Sequence, residues 1–493
     1  MARLPVVKEH YGRVPNYVNG EWVESRSTRV QEVVDPALCR PIAEVPMSGR
    51  AEVEDAISAA AEAFQDWADT PPNIRVQPLY RLKVLFEEHY EEIASILVQE
   101  HGKVIDEARG SVRRTIDNLE FACGIPSLLM GETLVNGAAA GIDEEAVREP
   151  LGVCACIAPF NFPAMVPFWF WPTAVACGNT FVVKPSEQVP LTQARIFQLI
   201  EEAGFPEGVI NMVQGDREVS DTFLTDPRVR AVSFVGSTPI ARYVYSTAAA
   251  NGKRVQCQGG AKNFIAVMPD ANLDTAITNL VATYFGNTGQ RCLAGAVLVP
   301  VGDRGGEVVD RFVAAASRLR LGNGLDESAQ LGPVAAKRHF DRVMGYIDKG
   351  VAEGGKLLLD GRHPKVDGHP EGYFIGPTVF DGMRQDMTLV REEIFGPVVS
   401  IVRVPTLDAA IELANTSAFG NASSIYTSSG RASREYRTRV RGGNLGINVG
   451  VAAPMAYFPF GGMKDSFFGD LHGQGRDGVN FFTDRRVVIT RWI

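Results

Sequence analysis

GVCACIAPFNFPAMVPFWFWPTAVACGNTFVVKPSE, residues 152–187, holds two short apolar runs, at 152–158 and 180–184, each closed by turn-forming residues. Two more runs of this kind follow at 209–214 and 229–236, with helix-like stretches between them. Strands that are apolar along their whole length, rather than on alternate residues, are buried on both faces. The rhythm therefore predicts a parallel sheet covered by helices. Phosphate-bearing cofactors bind beyond the carboxyl ends of such strands. The residues there are Phe160 and Asn161 in PFNFP, Lys184 and Glu187 in KPSE, and Gly236 and Ser237 in FVGST. An ammonium and a carboxylate suit ribose hydroxyls, and a glycine-serine turn opening a helix suits a pyrophosphate.

Upstream, NYVNGEW at 16–22 reads as a hairpin around an Asn-Gly turn. Residues 51–67 place Val53, Ile57, Ala60, Ala61 and Phe64 on one helical face, and a second helical stretch covers 73–100. Downstream, a second α/β series begins near Phe264. Its strands are FIAVMP, AVLVP, PVVSIVRV, ASSIYTS and GGNLGINV, and the boundary between the two series is set near Cys257. The ending FFTDRRVVITRWI is a β-prone strand of the kind that pairs with another subunit's sheet.

At 493 residues the chain exceeds a single core and implies two domains with a small appendage. A net charge of −9 disfavours a nucleic-acid partner, and no apolar run suits a membrane span or a signal peptide, so a cytoplasmic location is expected. The seven cysteines have no regular spacing, which argues against a disulfide framework. Cys154 and Cys156 lie in an apolar strand and read as buried hydrophobes, and no histidine stands at zinc-ligand spacing, so no metal is expected.

Cys292 differs from the other cysteines. It sits in FGNTGQRCLAG, a polar, glycine-rich loop where Arg291 offers a positive charge to favour thiolate. Asn161, at the end of the strand at 152–158, is an amide suited to a developing oxyanion.

Together PFNFP, KPSE, FVGST, GQRC, EEIFGPV (392–398) and PFGGMKDS (459–466) resemble the aldehyde dehydrogenase superfamily along nearly the whole chain. The resemblance implies a Rossmann-type NAD-binding domain (1–119 and 144–256), an α/β catalytic domain (257–465) and a β oligomerisation arm (120–143 and 466–493). It makes Cys292 the nucleophile, with Asn161 and the Cys292 backbone N–H as the oxyanion site. Phe160, Lys184, Glu187, Gly236 and Ser237 become cofactor ligands, with Glu393 and Phe395 on the nicotinamide-ribose side. A homo-oligomer, dimer or tetramer, is implied as well.

Hydrolytic members carry a glutamate 34 residues before the nucleophile, as general base for the deacylating water. Here that position is Gln258, in CQGGAKN, and an amide takes no proton near neutral pH. Coenzyme A, a thiol, needs less help than water as a co-substrate. Glu120 and Glu202 are the alternative bases if water is used. The segments RTIDNLEFACGIPSLLMGE (114–132), GAKN (260–263) and SFFGDLHGQGRDGVNFFTD (466–484) resemble the acylating methylmalonate-semialdehyde dehydrogenase branch. Its substrates carry a carboxylate, which the resemblance sets against Arg114 and Arg291. Phe264 departs from the branch, which has histidine there. The remaining readings are a hydrolytic aldehyde dehydrogenase for another aldehyde and a non-catalytic NAD-binding protein.

Overall fold

A computed structural model describes residues 7–493; the first six residues of the predicted cofactor segment lie outside the described residues. The four predicted strands form Val153–Ile157, Thr180–Lys184, Ile210–Met212 and Val229–Val235, all parallel. The hairpin Asn16–Val18 and Glu21–Val23 extends one edge of their sheet, next to Ile210–Met212. Thr180–Lys184 and Ile210–Met212 lie to one side of Val153–Ile157, and Val229–Val235 lies to the other. The chain order thus reverses between Val153–Ile157 and Val229–Val235, which opens a crevice at their carboxyl ends.

A second, seven-stranded sheet carries the five downstream strands, as Asn263–Val267, Gly295–Pro300, Val398–Ile401, Ala422–Tyr426 and Asn444–Ile447. They are parallel to their neighbours, and both sheets are buried, so the α/β class holds for each half. Two further strands, Lys356–Leu359 and Thr378–Asp381, complete the second sheet beyond those expected.

Several boundaries move. Arg254–Gln258 pairs with Val229–Val235, so a division at 256/257 would cut through a strand of the first sheet. Part of the segment assigned to the arm also belongs to the first sheet, because Phe467–Phe468 closes its far edge. The arm sheet is Glu132–Leu134, Ile142–Pro150 and Thr483–Arg491. Its long central strand therefore runs past the expected end at 143, while 120–123 belongs to helix Ile105–Cys123. The first long helix is Arg50–Asp69. The expected helix at 73–100 is broken into Pro72–Arg75, Gln77–Glu88 and Tyr90–His101. Pro78 lacks an N–H and is accommodated in a first turn, so it starts a helix instead of continuing one.

Among the described residues no helix is long and apolar enough to cross a membrane. Within the same residues, no group of three or more His, Cys, Asp or Glu side chains gathers in metal-holding geometry. All seven cysteines are free, and Cys154 and Cys156 are buried in the central strand.

Candidate active site

The crevice widens into a cavity of about 610 Å³. Phe160, Asn161, Lys184, Glu187, Gly236, Ser237, Glu393 and Phe395 all line it, and so does Cys292. Lys184 Nζ is buried and donates to Glu187 Oε2 at 3.1 Å and to the Pro185 carbonyl at 2.9 Å, which fixes the pair at the strand end. Ser237 is the N-cap of helix Thr238–Ala250, and its hydroxyl makes no capping bond, so the helix amides and the hydroxyl both remain open to the crevice. A carboxylate beside the lysine fits a dinucleotide with a free 2′-hydroxyl and would repel a 2′-phosphate.

The far wall comes from the second half of the chain. Phe160 packs against Phe395 and His339, each with ring centroids 5.9 Å away. His339 is a site residue that sequence reading misses. Its Nε2 lies 2.6 Å from the Phe395 carbonyl, and burial pulls its pKa down to about 4, so the ring is neutral at pH 7. Glu393 Oε1 accepts the Ala261 N–H at 2.7 Å, and burial pushes its carboxyl up to about 7.

Cys292 also lines a second cavity, of about 360 Å³. The nucleophile candidate therefore stands where two cavities meet. Asn263 Nδ2 and Asn421 Nδ2 donate to its carbonyl at 2.9 and 2.7 Å. Asn161 Nδ2 donates to the Gln290 carbonyl at 3.0 Å, which fixes one amide hydrogen and leaves the other available. The loop before Cys292 is unusual. Asn287, Thr288 and Gly289 take φ of 52°, 54° and 72°. A β-branched residue such as Thr288 pays about 1–3 kcal/mol for this left-handed conformation, so neighbouring contacts must enforce it.

Arg114 and Arg291 both line the second cavity, but in different states. Among the described residues Arg114 is bound only to the Pro454 carbonyl (3.3 Å) and the Met455 sulfur (3.1 Å). Arg291 is ion-paired with Glu107 at 2.6 Å. This corrects the expectation that Arg291 favours thiolate at Cys292. Its charge is already compensated, and burial, aided by the Glu393 carboxyl, pushes the thiol up to about 12. Lys103 was likewise not foreseen. Its buried ammonium donates to the Asn161 carbonyl at 2.8 Å and sits 4.1 Å from the centre of the Phe162 ring.

Gln258 lines neither cavity. It is 4% exposed, and its Nε2 donates to the Phe460 carbonyl at 3.1 Å, which holds it behind a residue of the cavity wall. Glu120 and Glu202 line neither cavity and are exposed; Glu120 is paired with Arg113. Phe264 lines neither cavity and packs in the core of the second half, so its departure from the histidine pattern alters that core and not the cavity wall.

The sequence pattern of the Aldehyde dehydrogenase family matches residues 22–488. The chain belongs to the aldehyde dehydrogenase family. Malonate-semialdehyde dehydrogenase 1 of Geobacillus thermodenitrificans is 50% identical over 478 residues, covering 97% of this chain and 98% of that one. The crystal structure of methylmalonate-semialdehyde dehydrogenase from Oceanimonas doudoroffii superposes with a TM-score of 0.96 at 45% identity, covering 98% and 99% of the two chains. A Sinorhizobium meliloti protein provisionally named methylmalonate-semialdehyde dehydrogenase, solved in complex with NAD, gives 0.96 at 42% identity, covering 98% of each chain. The aldehyde dehydrogenase fold expected from the motifs is thus the fold of this chain.

Proposed function

We propose that this aldehyde dehydrogenase oxidises malonate or methylmalonate semialdehyde with NAD and coenzyme A, giving acetyl- or propionyl-CoA and CO2. The observation that carries the substrate is the pair Arg114 and Arg291 in the cavity that ends at Cys292. Arginine's planar fork recognises a carboxylate in two directions at once, and the names of the similar proteins agree with such a substrate.

In this reading Cys292 Sγ adds to the aldehyde carbon as its proton leaves, and the new oxyanion takes the free amide hydrogen of Asn161 and the Cys292 N–H. Lys184, Glu187, Gly236, Ser237, Glu393, Phe160 and Phe395 hold NAD in the larger cavity. NAD bound there supplies the acceptor for the hydride that leaves the carbon, and a thioester at Cys292 remains. The carboxylate β to its carbonyl departs as CO2; the pair from the broken C–C bond passes to the α carbon, which takes a proton. The coenzyme A sulfur then attacks the thioester carbonyl, the bond to Cys292 Sγ breaks, and the cysteine recovers a proton equivalent to the one the incoming thiol gives up. Gln258 occupies the sequence position of the usual base, and an amide takes no proton from water, which favours this thiol. The reading carries with it a cytoplasmic location, no resident metal, and a homo-oligomer, dimer or tetramer. The open edge of Thr483–Arg491, with Val487 and Ile489 exposed, supports the last.

A steady-state assay tests the proposal. NADH formation from the carboxylated aldehyde is expected to depend on added coenzyme A, and equally fast turnover without it would overturn the acylating reading.

A further inference from the structure

Glu107 stands in the first turn of helix Ile105–Cys123, 180 residues from the start of the loop it touches. Its Oε1 accepts two hydrogen bonds, from the Asn287 backbone N–H at 2.6 Å and from Arg291 Nη2 at 2.6 Å. Asn287 is the first residue of the left-handed run that leads to Cys292. Such a run makes no repeating backbone bonds, so groups outside it must hold it. Further bonds that hold it are Thr288 Oγ1 to the Gly332 carbonyl at 2.9 Å, the Ala335 N–H to Gln290 Oε1 at 3.1 Å, and Asn161 Nδ2 to the Gln290 carbonyl at 3.0 Å. Glu107 is the one that also reaches a guanidinium in the substrate-side cavity.

One carboxylate oxygen therefore links the backbone that presents the nucleophile to the charge beside it. Removing Glu107 would release the start of the loop and free Arg291 together. Neutralising it while keeping an oxygen in place would leave the loop held and free only the charge. These two effects separate in kinetics, because loop geometry acts on the chemical step for every aldehyde, whereas the Arg291 charge acts on a substrate that carries its own anion.

We propose that Glu107 is a positioning and specificity residue. It holds the Cys292 loop in its left-handed shape, and it is the internal counter-ion with which the substrate carboxylate must share Arg291. Arg291 retains its remaining N–H donors for that sharing. The second half of the proposal rests on the reading that the substrate is a carboxylated aldehyde; the first half does not.

The test compares Glu107→Ala with Glu107→Gln, each assayed with malonate semialdehyde and with propionaldehyde. Glu107→Ala is expected to lower kcat for both aldehydes by roughly 10- to 100-fold, since a small misplacement of a nucleophile has that consequence. Glu107→Gln keeps an oxygen for both donors and should recover most of that loss. It should also lower KM for the carboxylated aldehyde several-fold, with KM for propionaldehyde unmoved. A wild-type kcat for propionaldehyde in Glu107→Ala would overturn the loop role. An unmoved KM for malonate semialdehyde in Glu107→Gln, alongside a raised one in Arg114→Ala, would overturn the counter-ion role. If Arg114→Ala treats the two aldehydes alike, the carboxylate reading itself has failed, and kcat with propionaldehyde still decides the loop role. Should Glu107→Ala not fold, Glu107→Asp, whose carboxylate is drawn back by one methylene, carries the same kcat measurement.

Discussion

The two cavities that meet at Cys292 are built on different plans. On the cofactor side, Asn161, Lys184, Glu187 and Ser237 follow the ends of three parallel strands, so hydrogen-bonded sheet geometry sets their spacing. On the substrate side, Lys103, Glu107, Arg114, Arg291 and Phe460 come from one helix, its preceding turn, the nucleophile loop and a late loop. Apart from Glu107 and Arg114, about two turns apart on that helix, contacts between distant segments fix their spacing. The sheet gives a site whose parts fail one at a time. In the other cavity Glu107 joins the nucleophile loop to Arg291, so that one change is felt by its neighbours.

The strongest way to break this contrast is at Asn161, which lines the cofactor cavity yet bonds the Gln290 carbonyl in the nucleophile loop. Asn161→Ala is expected to lower kcat by about 10²–10³-fold with NAD affinity unchanged, as for the loss of an oxyanion donor. Steady-state rates and a fluorescence titration with NAD measure both. A matching fall in NAD affinity would assign Asn161 to the cofactor side alone.

A smaller effect sharpens the substrate side. Arg114 has no carboxylate partner among the described residues, so its loss should act on the ligand and not on a neighbouring pair. Arg114→Ala is expected to raise KM for a carboxylated aldehyde by roughly 10- to 100-fold, from about 1.5–3 kcal/mol of charge-assisted bonding, and to spare a neutral aldehyde. Equal changes for both would remove Arg114 from recognition.

The gentlest probe is the thiol itself, shared by both cavities. With its pKa pushed up to about 12, Cys292 of the free enzyme is almost wholly protonated at neutral pH. The thiolate is the reacting form, so alkylation by iodoacetamide should quicken about tenfold per pH unit between roughly pH 7 and 10. A rate already level above pH 8 would mean that a cation stabilises the thiolate, as the sequence first suggested for Arg291.

The cofactor side was legible because each of its ligands adjoins a strand that the sequence announces. The polar ends of VCACI, TFVVK and VRAVSFV could be read without knowing what lay opposite. His339 was not, since its place depends on a helix docking from the other half of the chain. Glu107 and Lys103 were invisible because their partners are distant in the sequence, 180 and 58 positions away. Arg291 was found but misjudged, because sequence adjacency to Cys292 says nothing about a counter-ion on a distant helix. The strand Arg254–Gln258 escaped because RVQCQ mixes polar and apolar residues, although Gln256 and Gln258 are buried in the sheet. The arm's central strand was underestimated, its expected end being 143, because IDEEAVREP becomes extended through its pairing along the whole of Thr483–Arg491.

The hydrogen bond from Asn161 to Gln290 spans a seam, for Asn161 leaves the first sheet while Gln290 and Cys292 precede a strand of the second. Neither half of the polypeptide alone contains both amide and thiol. During synthesis the emerging chain therefore holds no assembled reactive centre until both sheets have formed and docked.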